Sequence, residues 1–422
     1  MDIAEIFETR KNDPRWNTSY PLSPEDWARY RVTGRLSFKK DNRLSFYIHI
    51  PFCKQLCSFC EYTRMLCPKE DVQRDYLLAL NHDIEHFKQC YTNFTLLGFD
   101  IGGGTPTSLS EDNFSLLMRI YKDTISGINL SAVYEPSIEG TFNTLSERKL
   151  EEMSMNGFHR LSLGVQSSCG SVLQQHHRGQ SSEAVMSLWI KKAWDKGIRK
   201  VNLDFMYGLQ GQNGLTIRQD LELIRCLKPQ QVTLYELRTN MISNKASCSK
   251  SELYEQYSQY YDGLITLGYN ARFGQNTFSF DTLDQGLSSY LRERMLNGAA
   301  YKGFGLSAQS MSSTGLSYNI GKLSLELHRF LNNTGYPEEY TYLLPPHELA
   351  AKYVAISAYN GSFSIQRLKE MGAYEESMKE TLDFLISQGH LYRGKDKRLY
   401  VSKKGFAHYG AVFSLLYSNK ES

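Results

Sequence analysis

The 422-residue chain has no uninterrupted apolar run long enough to cross a bilayer. It has little excess charge of either sign, a net +3 at pH 7 from 48 Lys and Arg against 45 Asp and Glu. A broad basic face is therefore not indicated, and neither is a nucleic-acid partner. No apolar leader opens it: "MDIAEIFETRKNDPRW" is charged from its second residue. We expect no signal peptide, no membrane partner and a cytoplasmic, reducing setting, where clustered cysteines mean metal or redox chemistry more often than disulfides. Low-complexity tracts are absent. So is a fourth cysteine where one would close a set. Three of the eight cysteines, Cys53, Cys57 and Cys60, stand close together in "YIHIPFCKQLCSFCEYTRM", with none following at a comparable step.

What is present is ordinary in bulk. Apolar residues make 41% and charged residues 22%, a soluble globular composition with room for one large domain and one or two smaller ones. The 28 tyrosines could hold a planar apolar ligand, although packing is their common use. From Leu44 short apolar runs alternate with longer amphipathic segments. "LSFYIHI", "TLLGFDIGGG", "SAVYEPS", "RLSLGVQS", "KVNLDFMYGL" and "QVTLYEL" read as strands. Helical patterns follow each, from "DVQRDYLLALNHDIEHFKQC" to "KSELYEQYSQYYDGLITLGY". About six βα units predict a parallel sheet, as a barrel, a partial barrel or an open doubly wound sheet. Residues 1–43 read as an arm of little periodicity, and 44–345 as the core with its extension, irregular over 270–345. Residues 346–422 read as helices followed by the charged hairpin "HLYRGKDKRLYVSKKG", a winged-helix-like α+β module. Such a hairpin suits covering an active site better than touching nucleic acid.

The cysteine spacing admits three readings. Residues four and seven steps apart share a helix face, so a buried stripe is one. Pro51 and the strand-like run before it argue against that. Structural zinc is the second, and would take Cys67 or His49 as a fourth ligand. The third is a [4Fe–4S] cluster held by three thiolates with one iron left open. That iron could be chelated by the amino and carboxylate groups of S-adenosylmethionine. "GGGTPT", after the second predicted strand, would let backbone approach a ligand closely, or simply make a tight turn. The adjacent His176 and His177 have no partner at metal spacing and read as loop residues.

CxxxCxxC in a loop after the first strand resembles the signature of the radical S-adenosylmethionine (SAM) superfamily. "YIHIPFC", "GGGTPT", "RLSLGVQS", "DFMYGLQGQ" and "GLSAQS" follow in the order seen in its HemN-like group, and "RWNTSYP" resembles that group's N-terminal arm. The group includes oxygen-independent coproporphyrinogen III dehydrogenases, heme chaperones and class C radical methyltransferases. The resemblance implies a (β/α)6 partial barrel. It implies that Cys53, Cys57 and Cys60 bind the cluster and that one or two molecules of S-adenosylmethionine bind beside it. It places Tyr47, Gly103, Gly104, Thr105, Glu135, Gln166, Arg178 and Asp204 at the cofactor, Glu135 as the carboxylate closing the third strand and Asp204 near ribose hydroxyls. It also implies a planar or tetrapyrrole-like substrate and an electron donor such as flavodoxin or ferredoxin.

Two departures bear on the reaction. Porphyrinogen dehydrogenases carry a further cysteine two positions after the third cluster cysteine, where this chain has Tyr62. The heme chaperones' His-Asn motif has no counterpart in "RMLNGAAYKGFGLSAQS". The resemblance therefore leans toward methyl or methylene transfer to an sp² carbon. Porphyrinogen decarboxylation and heme carriage stand as the alternatives.

Overall fold

Alternate residues of the first long strand, β1 (Arg43–Ile50), are Leu44, Phe46, Ile48 and Ile50, all fully buried. Between them stand Ser45, Tyr47 and His49. Period-two alternation sends these two sets to opposite faces. The computed structural model describes residues 2–11, 13, 16, 19–238, 248–320, 324–332 and 339–417. In it, β1 pairs in parallel with β2 (Thr95–Gly103). β3 (Ser137–Gly140), β4 (Arg160–Gln166), β5 (Lys200–Tyr207) and β6 (Gln231–Glu236) follow, each parallel to the one before. After these strands come α1 (Glu70–Cys90), α2 (Glu111–Ile125), α3 (Glu147–Met155), α4 (Glu183–Asp195), α5 (Gly214–Leu227) and α6 (Lys250–Thr266). In α1 the apolar residues Tyr76, Leu77, Leu80, Ile84 and Phe87 recur at three and four steps and pack on the outward side chains of β1.

The strand order never reverses, as in a barrel and unlike a doubly wound sheet, which has a switch point. Among the described residues the two ends do not meet. Beyond β6 lies β7 (Thr277–Ser279), antiparallel, and β1 is flanked on its other side by β8 (Ala300–Phe304), parallel to it. The antiparallel strands β9 (Gln309–Ser312), β10 (Gly315–Asn319) and β11 (Glu339–Leu343) continue the sheet from β8. This is the expected partial barrel of six βα units. The stretch expected to be irregular is in fact where the sheet extends, through strands too short to show an alternation.

A short helix, α7 (Ser289–Met295), lies across β1 and β2. A Cβ on Gly98 would fall 2.2 Å from the Tyr290 nitrogen, so glycine is what admits the helix so closely. Tyr290 stacks on Tyr47, ring centroids 5.6 Å apart.

The two termini share a second core. The N-terminal helix Ile3–Lys11, unforeseen in the sequence, donates from Arg10 Nη1 to the Ser414 carbonyl at 2.6 Å. Trp16, Tyr20 and Trp27 pack with it against α8 (Pro346–Ser357). Glu348 of α8, buried, accepts from Trp27 Nε1 at 2.9 Å and from the Tyr20 hydroxyl. Arg15, Asn17 and Thr18 of "RWNTSYP" lie outside the described residues.

After α8 come helices Ile365–Glu370 and Glu376–Ser387 and a three-stranded antiparallel sheet that includes the hairpin Leu391–Arg393 and Arg398–Val401. The hairpin packs inward, Arg398 Nη1 donating to the Leu296 carbonyl at 2.9 Å. Arg272 lies over Tyr400 at 4.2 Å. Among the described residues no helix is long and apolar enough to cross a membrane.

Candidate functional site

Side chains of residues paired across a sheet point to the same face, so the register specifies what the six strands turn inward. Asp100, Ser137 and Arg160 form one layer. Glu139, Ser162, Asn202 and Gln231 form the next, and Gly164, Asp204 and Thr233 the third. Several of these polar residues bond one another, while Asp100 accepts from Ser288 Oγ at 2.6 Å. Arg160 donates to Ser137 Oγ and Gln231 Oε1, both at 2.8 Å. Asn202 Nδ2 donates to Ser162 Oγ at 2.8 Å, and Ser162 Oγ to Asp204 Oδ2 at 3.0 Å. The inner face is thus a polar network, open toward the carboxyl ends of the strands.

The cysteine loop occupies that end. Pro51 and the two-residue strand Phe52–Cys53 turn the chain out of β1, and Phe52–Cys53 pairs with Met65–Leu66. Cys53 and Cys57 are buried and Cys60 is half-buried. The thiols are mutual electrostatic neighbours. Thr105 Oγ1 donates to Cys53 Sγ at 3.6 Å, and Arg178 Nη1 to Cys57 Sγ at 3.5 Å. Arg64 Nη2 holds the Cys57 carbonyl at 2.6 Å. Burial pushes the Cys53 thiol up to about 11, against the opposing Thr105 bond. A metal would have to displace that proton, as thiolate ligation requires.

Among the described residues no three His, Cys, Asp or Glu side chains converge on the position of a single metal ion. A cubane takes one thiolate on each of three irons and so needs its thiolates spread around it. Three neighbouring thiols, two already receiving a donor at sulfur, fit such a cluster.

The glycine turn lies directly beneath. The Gly104 and Thr105 amides donate to the carbonyls of Ile50 and Phe52, each at 2.8 Å, locking the end of β2 to the cysteine loop. Gly103 has φ +111°, and a Cβ there would meet the His49 ring at 2.6 Å. Both facts require glycine. Its amide donates to Glu139 Oε2 at 3.2 Å. Gln166 ends β4 in the left-handed region, φ 73°, at a bulge beside Gly164. Arg178 Nη2 donates to the Gly164 carbonyl, bringing Gly164, Gln166, Arg178 and Cys57 together.

Of the residues expected at the site, Tyr47, Gly103, Gly104, Thr105, Gln166, Arg178, Asp204 and the three cysteines lie around this end of the barrel. Glu135 does not. It precedes β3 and pairs with Lys200 Nζ at 3.0 Å, at the amino end of the strands. Pro136 has no N–H for the ladder, so "SAVYE" is loop and the strand begins one residue past the proline. The carboxylate on β3 is Glu139, and "SIEG", counted from Pro136, could have revealed it. Tyr62, 55% exposed yet with a hydroxyl held protonated by surrounding protein, faces the same interior chamber as Glu139, Arg238 and Cys60. Arg294, one helical turn past Tyr290, donates to Gln309 Oε1 at 3.1 Å. Its charge faces Tyr290, Tyr301 and Tyr62. Neither Glu139 nor Arg294 sits in a recognisable motif.

Desolvation dominates the carboxyls here. Burial raises Asp100 to about 7 and Asp204 to about 6; Glu139 is solvent-exposed on its strand, yet the protein crowding its carboxyl raises it to about 8, with Asp204 adding to that. Unfolded, such groups titrate near ~4. The folded chain therefore holds protons that the unfolded chain has released, and stability present in acid is lost as pH rises through about 6 to 8. Urea unfolding of the cluster-free chain should show a lower midpoint at about pH 8.5 than at about pH 5.5, with Glu139→Gln reducing the difference. A midpoint that rises with pH would contradict these assignments.

Residues 47–224 match the Radical SAM superfamily. The oxygen-independent coproporphyrinogen III oxidase of Escherichia coli (strain K12) is 29% identical over 237 residues, 56% of this chain and 51% of that protein. The heme chaperone HemW of Bacillus subtilis (strain 168) is 30% identical over 193 residues, 46% of this chain and 50% of that protein. The aligned part of the chain thus spans about half the length of these curated relatives. The solved structure of coproporphyrinogen III oxidase (HemN) from Escherichia coli superposes with TM-score 0.75 at 21% identity, covering 99% of this chain and 98% of that one. The fold is shared from end to end.

Proposed function

We propose that Cys53, Cys57 and Cys60 hold a [4Fe–4S] cluster and that S-adenosylmethionine binds beside it, because residues 47–224 match the Radical SAM superfamily and the chain shares the HemN fold. When bound, cluster and cofactor supply one-electron cleavage of the sulfonium to a 5′-deoxyadenosyl radical. The observation that carries this is the meeting of three thiols with the Gly102–Thr105 turn at the carboxyl ends of six parallel strands. Glu139 accepts an N–H from the cofactor's amino group. Asp204 accepts from ribose hydroxyls. Gln166 and Arg178 hold the cofactor's polar groups, Arg178 suiting a carboxylate through paired N–H donors.

The substrate is planar and conjugated, stacked among Tyr47, Tyr62 and Tyr235 of β6, which has Tyr62 and Asp204 as electrostatic neighbours, with Arg294 available to an acidic substituent. The reaction is methyl or methylene transfer to an sp² carbon, with a second S-adenosylmethionine as carbon source. Tyr62 favours it, because a phenol there cannot do what a thiol would. The second reading is oxidative decarboxylation of a porphyrinogen, favoured by the names of the relatives; heme carriage without turnover is the third. A flavodoxin- or ferredoxin-type protein supplies the electron in the cytoplasm, and residues 346–422 form a module that covers the chamber.

Anaerobic incubation with methyl-labelled S-adenosylmethionine, reductant and candidate tetrapyrroles should give 5′-deoxyadenosine and a labelled product. Carbon dioxide without label would select decarboxylation. Stoichiometric heme binding with no 5′-deoxyadenosine from a fully reconstituted sample would select carriage.

A further inference from the structure

His176 and His177 show no metal spacing, and their sequence suggests only a loop. The structure separates them. His176 is 4% exposed, while His177 is exposed. The buried ring bridges two segments. Gln210, in the loop after β5, donates its backbone N–H to His176 Nε2 at 3.2 Å. On the other side His176 Nδ1 lies 3.1 Å from Ser58 Oγ. The backbone repeats the link, Ser58 N–H donating to the His176 carbonyl at 3.1 Å.

The tautomer follows from these contacts. A backbone N–H can only donate, so Nε2 must offer its lone pair and the proton sits on Nδ1. Nδ1–H then donates to Ser58 Oγ. A doubly protonated ring could not accept from Gln210, and burial, with His177 adding to it, lowers the affinity of this imidazole for a second proton. Ser58 stands between Cys57 and Cys60. Phe59 packs 5.8 Å from the His176 ring, over a small core of Val172, Met206, Leu209 and Leu237. Two residues on, Arg178 reaches Cys57 Sγ, and the next amide, Gly179 N–H, donates to Gln55 Oε1 at 2.9 Å. Residues 55–60 and 176–179 are therefore laced by four hydrogen bonds, two of them from the His176 and Arg178 side chains.

We propose that His176 is a positioning residue of the cluster loop: its neutral Nδ1–H tautomer, fixed by the Gln210 amide, sets Ser58 and with it Cys57 and Cys60. It touches neither cluster nor cofactor and acts through Ser58 and through the segment that carries Arg178. Hydrogen bonds to ligating sulfur tune a cluster's potential, so a loosened lace should lower that potential as well as expose the thiols. The inference rests on the cluster reading above, but its first test does not.

In the cluster-free full chain, alkylation of each cysteine can be followed by mass spectrometry. His176→Phe keeps the ring and loses both polar contacts. Loss of a net hydrogen bond should speed labelling of Cys57 and Cys60 by about tenfold. The exposed Cys226 should be unchanged, and so should Cys53, held by Thr105. Ser58→Ala, which removes only the acceptor, should give the same pattern more weakly. His176→Gln, whose amide can donate and accept at nearly the ring's separation, should restore slow labelling. In reconstituted protein the cluster potential should fall in His176→Phe and Ser58→Ala and return in His176→Gln. Wild-type labelling rates in both His176→Phe and Ser58→Ala would overturn the proposal, as would a glutamine variant no better than phenylalanine. A wild-type chain that takes up no iron would instead remove the cluster reading, while the labelling rates still judge His176.

Discussion

Replacing any one of Cys53, Cys57 and Cys60 by alanine is expected to abolish cluster uptake and reduce 5′-deoxyadenosine formation to that of iron-free protein. The effect should be all-or-none because each thiolate serves a different iron, and two thiolates with a cofactor still to be bound cannot hold a cubane. Cys67 is the informative control. It is only fourteen residues from Cys53 in the sequence and is the obvious fourth ligand if the site is structural zinc. In the structure its thiol is committed elsewhere, donating to the Ser108 carbonyl at 3.5 Å and accepting from Gln73 Nε2 at 3.3 Å. Cys67→Ser should therefore keep iron content and cofactor cleavage near wild type. Equal loss of metal on replacing Cys67 or Cys53, with zinc in the preparation, would sink the radical reading.

What could be read from the chain in advance follows a physical division. Long amphipathic helices and doubly buried strands show themselves, because burial imposes a period on many residues at once, as in β1 and α1. The cysteine spacing and the glycine turn were legible because each needs a particular residue type. Elements whose partners are distant in sequence were not. The helix Ile3–Lys11 owes its place to Ser414 and the second core rather than to its own pattern. The strands β8 to β11 are four or five residues long and take their order from β1 and from each other. Glu139 was missed for a local reason: a proline taken as the end of a strand was the boundary before it. His176 was missed because a single buried histidine leaves no trace in spacing, and only its two partners reveal what it does.

Glu139→Gln should cost the second largest loss, and the comparison with Glu135→Gln makes it decisive. Glu135 precedes the short strand β3 and Glu139 lies near its carboxyl end. Glu135 pairs with a half-exposed Lys200, a contact worth about 0–1 kcal/mol, so its removal should leave S-adenosylmethionine binding within about twofold of wild type. Glu139, solvent-exposed on its strand, lies against Gly102 and the Gly103 amide, held up to about 8 by desolvation of its carboxyl and by Asp204. An N–H donor arriving at its oxygens favours its ionised form and lowers that value. Binding must then release a proton over the range between the two values, so affinity should rise with pH from about 6 to about 8 and level off above. A charge-assisted hydrogen bond of this kind is worth about 2–3 kcal/mol, which sets the expected loss in Glu139→Gln at about 30- to 150-fold in Kd. The glutamine variant should also lose the part of the pH slope that Glu139 contributes, since that group is gone. Calorimetric titration of the reconstituted chain in two buffers of different ionisation enthalpy reads affinity and proton release together. Proton release that persists in Glu139→Gln but vanishes in Glu135→Gln would assign the cofactor's amino group to the other end of the strand, against the direction in which all six strands point.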